Sequence, residues 1–109
     1  MELLEQIKLS QRISHNALDD ILLSDIYAGA DELSRAGVEP YETDDTGQYL
    51  TDKNGYRIIN NKPLIRKAIE LYAKGMEDFE EKGSTYMTSF EKLRDSMSLS
   101  GGYNAQRND

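Results

Sequence analysis

A chain of 109 residues has room for one core, and with 38% hydrophobic against 30% charged residues that core is thin or is completed by neighbouring subunits. Its 13 Lys and Arg face 20 Asp and Glu, a net charge of −7. That balance excludes wrapping of a phosphate backbone, which depends on cations displacing counterions. With no cysteine, disulfides and thiolate metal sites are excluded as well. The opening MELLEQIKLSQRI interleaves apolar and charged residues and lacks the apolar stretch of a signal peptide. No run approaches the roughly 18 apolar residues that span a bilayer. A soluble protein, cytosolic where it is made and without membrane contact, is expected.

The apolar spacing predicts four helices. The first covers about residues 2–11, with Leu3, Leu4 and Ile7 on one face. After a break at 13–16, Asn16 is placed to cap a second helix, whose first turn carries Asp19 and Asp20 at the positive end of the helix dipole. Leu18, Ile21, Leu22, Ile26, Ala30 and Leu33 form its buried stripe. Gly29 within the stripe allows close approach of another backbone, and Gly37 ends the helix.

Residues 38–62 break the helical period. Asn54-Gly55 is the favoured pair for a two-residue type I′ turn, so a β-hairpin insertion over about 48–60 is expected, with Asp52 opposite Arg57, Thr51 opposite Ile58 and Leu50 opposite Ile59. A lone hairpin is marginal in water and must lean on the helices or a partner. Its residues Tyr49, Asp52, Tyr56, Arg57 and Ile59 are therefore candidate partner contacts.

Pro63 opens a third helix, about 63–82, with Leu64, Ile65, Ala68, Ile69, Tyr72, Met76 and Phe79 inward. Arg66–Glu70, Glu70–Lys74 and Lys74–Asp78 are spaced as ion pairs on its solvated side. Gly83 stops it, Ser84 caps a fourth helix to about Met97, and Tyr86, Phe90, Leu93 and Met97 face inward. Residues 98–109 read as a flexible C-terminal tail. The expected architecture is mainly α: a small bundle of about four helices as one domain over 1–97, with the hairpin inserted between the second and third, and no internal repeat.

Chemistry is sparse. His15 is the lone histidine, next to a helix cap and without a nucleophile set against it. Glu77 and Glu80 have the ExxE spacing of Mg²⁺-binding helical pyrophosphatases, but after Glu91 the second acid is replaced by Arg94. Aligning Gly55 with the invariant glycine of an EF-hand puts Leu50 and Asn61 where carboxylates belong. No catalytic, cofactor-binding or metal-ligating residue is expected, so no enzyme. Asp25 falls inside the apolar stripe as a candidate buried or intersubunit acid, with a Lys or Arg as the expected partner. Seven tyrosines suit a surface that becomes an interface.

Several segments resemble tailed-phage head–tail connector proteins. They are Leu4-Glu5-Gln6-Ile7-Lys8 with Arg12-Ile13, then Asp19-Asp20-Ile21-Leu22 leading to Ala28 and Ala30. Pro63-Leu64-Ile65-Arg66-Lys67-Ala68-Ile69-Glu70-Leu71-Tyr72 follows, and then Phe90-Glu91-Lys92-Leu93, Leu99-Ser100-Gly101 and Tyr103-Asn104. Ser10-Gln11 departs from the apolar residue usual before Arg-Ile, and residues 41–60 read as an insertion. The resemblance implies a virion protein of the head–tail junction, assembled in the host bacterial cytoplasm. It implies self-association into a ring of about a dozen copies beneath the portal, which extends the DNA channel and passes DNA without sequence-specific binding. Its partners would be the portal and a downstream head-completion or tail-side protein, with Leu99, Tyr103 and Asn104 docking on the portal. The alternative is a small helical, prophage-encoded regulatory or adaptor protein that binds a host protein.

Overall fold

The computed structural model describes residues 2–100 and is mainly helical. Helix α1 spans Glu2–Ser10, α2 Asp19–Arg35, α3 Pro63–Met76 and α4 Gly83–Ser100, with a short 3₁₀ turn at Phe79–Glu81. Helix α3 is central and packs against the other three. Its Ile65, Ala68, Ile69 and Ala73 are fully buried against Leu3 and Ile7 of α1, Leu22, Ile26, Ala30 and Leu33 of α2, and Phe90 and Met97 of α4.

Local chemistry explains the helix ends. Gly37, with φ of 87°, terminates α2 as a Schellman motif. Its N–H donates to the Ser34 carbonyl at 3.0 Å, and the Val38 N–H donates to the Leu33 carbonyl at 3.0 Å. Leu33 and Val38, the two apolar residues of that motif, are both fully buried. At the start of α2, Asn16 does not cap. Its Oδ1 accepts from Lys8 Nζ at 2.8 Å, and the same ammonium pairs with Asp19 at 2.9 Å. Lys8 is only 5% exposed, so this paired charge fastens α1 to the first turn of α2.

Helix α3 stops at Met76 and not near residue 82. Asp78 adopts the left-handed conformation at φ of 51°, and its Oδ1 accepts the Gly83 N–H at 2.7 Å, so Gly83 begins α4. A Cβ at Gly83 would lie 2.9 Å from the Gly75 carbonyl oxygen, which is why this tight corner takes glycine. Three residues of the expected apolar faces lie outside: Ile21 is 47%, Leu64 43% and Met76 51% exposed. The Glu70–Lys74 pair forms at 2.9 Å, but in partial burial and not on a solvated side. Helix α4 carries the chain as helix through Ser100, beyond the expected end at Met97; the rest of the tail, 101–109, lies outside the described residues.

Between α2 and α3 the expected hairpin gives way to three isolated antiparallel bridges: Tyr41 with Ile59, Thr43 with Tyr49, and Thr51 with Arg57. Asp52 thus faces Tyr56 through a 2.8 Å N–H···O bond, one residue out of the expected register. The reason is the turn. Gly55 N–H donates to the Asp52 carbonyl at 3.0 Å, and Gly55 is left-handed at φ of 84° while Asn54 is not, so a type I turn with a glycine bulge forms in place of type I′.

The three short segments close on one another. Glu42 N–H donates to the Ile58 carbonyl at 2.9 Å, Ile58 N–H to Leu50 at 3.0 Å, and Leu50 N–H to Glu42 at 3.0 Å. The triangle follows an eight-residue repeat, Tyr41-Glu42-Thr43-Asp44-Asp45-Thr46-Gly47-Gln48 and then Tyr49-Leu50-Thr51-Asp52-Lys53-Asn54-Gly55-Tyr56, which corrects the expectation of no repeat. Asp44 and Asp52 do the same job in each unit. Asp44 Oδ1 accepts the N–H of Thr46 and Gln48 at 2.8 and 3.0 Å, and Asp52 Oδ1 accepts those of Asn54 and Tyr56 at 2.9 and 3.1 Å. The third unit begins at Arg57. There Asn60 Oδ1 accepts the Lys62 N–H at 3.0 Å, and Pro63 takes the glycine position and starts α3.

Candidate partner-binding surface

Equivalent positions of the three units meet on one side of the triangle. The ring centroids of Tyr41 and Tyr49 lie 5.5 Å apart, edge to face, and the Arg57 guanidinium sits 4.2 Å from the Tyr49 centroid and 5.4 Å from that of Tyr41. Helix α2 supplies the other wall. Tyr27 stacks on Tyr56 at 5.8 Å and on Tyr41 at 6.4 Å, and its hydroxyl donates to the Arg57 carbonyl at 3.0 Å. The Tyr41 hydroxyl donates to Asp31 at 3.1 Å. Burial pushes both the Tyr27 and Tyr41 hydroxyls up from the ordinary tyrosine range, with Asp52 and Asp31 respectively adding to it, so both stay protonated donors. The insertion is thereby clamped to α2 by a ladder of rings around one cation.

Comparison with known protein families, curated proteins and solved structures finds no match.

Of the residues expected to contact a partner, Tyr49 and Tyr56 are 41% and 50% exposed, and each gives one ring face to the clamp. Asp52 is exposed but occupied with its own turn. Arg57 is exposed and its guanidinium is spent on the Tyr49 and Tyr41 rings. Ile59 is 2% exposed and belongs to the core, because its bridge to Tyr41 turns it toward the helices. Leu99, in the last turn of α4, is 88% exposed, while Tyr103 and Asn104 lie outside the described residues. The period alone could have found Tyr27, which sits on the α2 face beside Ile26, but not its contact with a segment 30 residues away.

Asp25 is buried, at 8% exposure, and it faces Glu77 just past α3, not the expected Lys or Arg. Burial, a hydrogen bond with Glu77 and the Glu77 charge together raise its carboxyl from 3.8 to about 7. Its Oδ2 has no hydrogen-bond partner among the described residues. His15 is exposed and its Nδ1 accepts the Ala17 N–H at 3.3 Å, within a turn. Among the described residues no group of three or more His, Cys, Asp or Glu converges where a metal ion could sit, and no helix is long and apolar enough to cross a membrane.

The clamp makes a direct prediction. Arg57→Ala removes two ring contacts and is expected to cost about 1 kcal/mol in urea unfolding, with Arg57→Lys in between. An Arg57→Ala midpoint equal to the wild type would mean that the rings hold the insertion without the cation.

Proposed function

We propose that this protein is a head–tail connector of a tailed phage: a non-catalytic adaptor that assembles as a ring under the portal, extends the DNA channel during head completion and packaging, and resides at the head–tail junction of the virion. The observation that carries the reading is the ordered resemblance from Leu4-Glu5-Gln6-Ile7-Lys8 through Pro63-Leu64-Ile65-Arg66-Lys67-Ala68-Ile69 to Phe90-Glu91-Lys92-Leu93, which runs along most of the chain. Supporting it, those segments supply much of α1, the central helix α3 and the inner face of α4, so they belong to one packed unit. Large apolar side chains stand exposed at Leu9, Leu50, Tyr56 and Leu99, as a subunit that buries surface on assembly requires. A net charge of −7 suits a channel wall along which DNA slides without sticking. The downstream face of the ring would receive a further head-completion or tail-side protein.

The test is the composition of purified virions. Quantitative mass spectrometry is expected to find this chain and the portal in nearly equal copy number. Its absence from particles, with abundance in lysogens that make none, would favour the regulatory adaptor instead.

A further inference from the structure

Of the six asparagines in the chain, Asn54 alone is followed by glycine. That pair has a chemistry of its own, because a main-chain nitrogen can attack the side-chain amide carbon of the asparagine before it. A glycine nitrogen is the least hindered in doing so, having no Cβ beside it. The equivalent positions of the other two units hold Thr46-Gly47 and Lys62-Pro63, which offer no side-chain amide. Asn54 and Gly55 are both exposed, and a Cβ added at Gly55 would meet nothing within 4 Å, so no neighbouring side chain shields the reaction.

The turn itself is the restraint. Gly55 N–H donates to the Asp52 carbonyl at 3.0 Å, while Asp52 Oδ1 accepts the N–H of Asn54 at 2.9 Å and of Tyr56 at 3.1 Å. Asp52 N–H in turn donates to the Tyr56 carbonyl at 2.8 Å, and the Tyr56 ring stacks on Tyr27 at 5.8 Å. The Gly55 nitrogen must give up its bond to Asp52 before it can swing onto Asn54. We infer that Asn54-Gly55 is a self-modification site, which deamidates through a cyclic imide when the turn opens and thereby releases the insertion from α2. The Gly55 nitrogen loses its proton and bonds Asn54 Cγ. The Cγ–Nδ2 bond breaks, and the leaving nitrogen takes up a proton and departs as ammonia. Water then opens the imide at one of its two carbonyls. Cleavage at Cγ leaves aspartate, which suits the same turn. Cleavage at the main-chain carbonyl leaves isoaspartate, whose main chain runs through Cγ and is one carbon longer. One water is consumed, one ammonia is released, and no oxidant or cofactor takes part. The longer chain between Asp52 and Tyr56 cannot hold the bonds that close the turn, so Tyr56 is drawn off Tyr27. The site acts in this way whether or not the chain assembles into a ring.

The test follows the whole protein at pH 8 by peptide mass mapping, folded and in guanidinium chloride. Asn54 is expected to convert in both states, about tenfold more slowly in the folded chain, because the reaction follows the fraction of opened turns. Tyr56→Ala removes an exposed ring and is expected to speed conversion about threefold in the folded chain and to leave the rate in denaturant unchanged. Asn54→Gln should abolish the event. The isoaspartyl form, isolated by ion exchange, should lose hydrogen-exchange protection at the Ile58 N–H, which donates to the Leu50 carbonyl, while the helices keep theirs. Equal rates in the folded and denatured chains would overturn the restraint by the turn. Conversion at other asparagines with none at Asn54, or an isoaspartyl chain with Ile58 still protected, would overturn the site and its effect.

Discussion

Asp25→Asn is expected to stabilise the protein at pH 8 by on the order of 2 kcal/mol, roughly 10 °C in melting midpoint, and to leave it nearly unchanged at pH 4. The carboxyl is raised from 3.8 to about 7 by burial and by Glu77, so the folded chain keeps a proton that the unfolded chain releases between those values. Stability contributed by the protonated acid is complete below about pH 4 and is lost as pH rises through about 7. The full linkage of such a shift would be larger, but partial relaxation of a pair next to a helix end reduces it. The Asn variant keeps a neutral donor toward Glu77 and has no proton to lose. Thermal unfolding from pH 4 to pH 8 checks this: the wild type should lose stability across the window relative to the variant. Parallel curves would mean that Asp25 is ionised throughout, its charge balanced by a group other than Glu77.

Gly29→Leu is expected to cost about 3 kcal/mol, while Gly29→Ala should change stability by less than about 1 kcal/mol. A Cβ at Gly29 would sit 3.1 Å from Cβ, Cγ and Cδ1 of Tyr72, close enough that the ring must yield by a few tenths of an ångström. For alanine, that displacement offsets the helix propensity gained over glycine. Leucine drives further atoms into a ring that also packs edge to face with Phe90, with centroids 5.1 Å apart at 64°. The α2–α3 spacing must then open. Urea unfolding of Gly29→Leu alone and combined with Tyr72→Ala isolates the cause. In the double variant the two losses should be less than additive, and simple additivity would place the strain elsewhere.

Much of the helical framework was legible because its signals are local. Gly37, followed by buried Val38, marked the end of α2, and Pro63 marked the first turn of α3, whereas the space at Gly29 is filled by the Tyr72 side chain and not by the backbone expected there. Contacts between distant residues were not legible. The partner of Asp25 is Glu77, beyond the end of another helix, and no spacing rule links the two. Helix α3 reads as continuous to residue 82 by apolar period, yet Asp78 turns left-handed to accept the Gly83 N–H and cuts it short. The octad of the insertion was masked because its third unit has lost the motif: Arg57 replaces tyrosine, Ile59 replaces threonine, and Pro63 replaces glycine. The same losses are functional in the fold, for Arg57 fills the ring clamp, Ile59 enters the core and Pro63 launches α3.

The candidate surface follows this division. Tyrosine content suggested an interface; in the structure Tyr49, Tyr56 and Arg57 gather in one cluster, where their ring contacts anchor the insertion on Tyr27 and Tyr41. Leu50 and Ile58 on the insertion and Leu99 in the last turn of α4 are exposed, and so are Leu9, Ile21, Leu64 and Met76 on the helices.

Ring assembly on a portal is what the proposed function requires. Its most direct test is the mass of the chain by light scattering after size exclusion, alone and mixed with the purified portal encoded in the same genome, with negative-stain images of each peak. A head–tail connector is expected to give a closed ring, or recruitment of about a dozen copies onto one portal face. A monomer or dimer that leaves the portal peak unchanged in mass would contradict it.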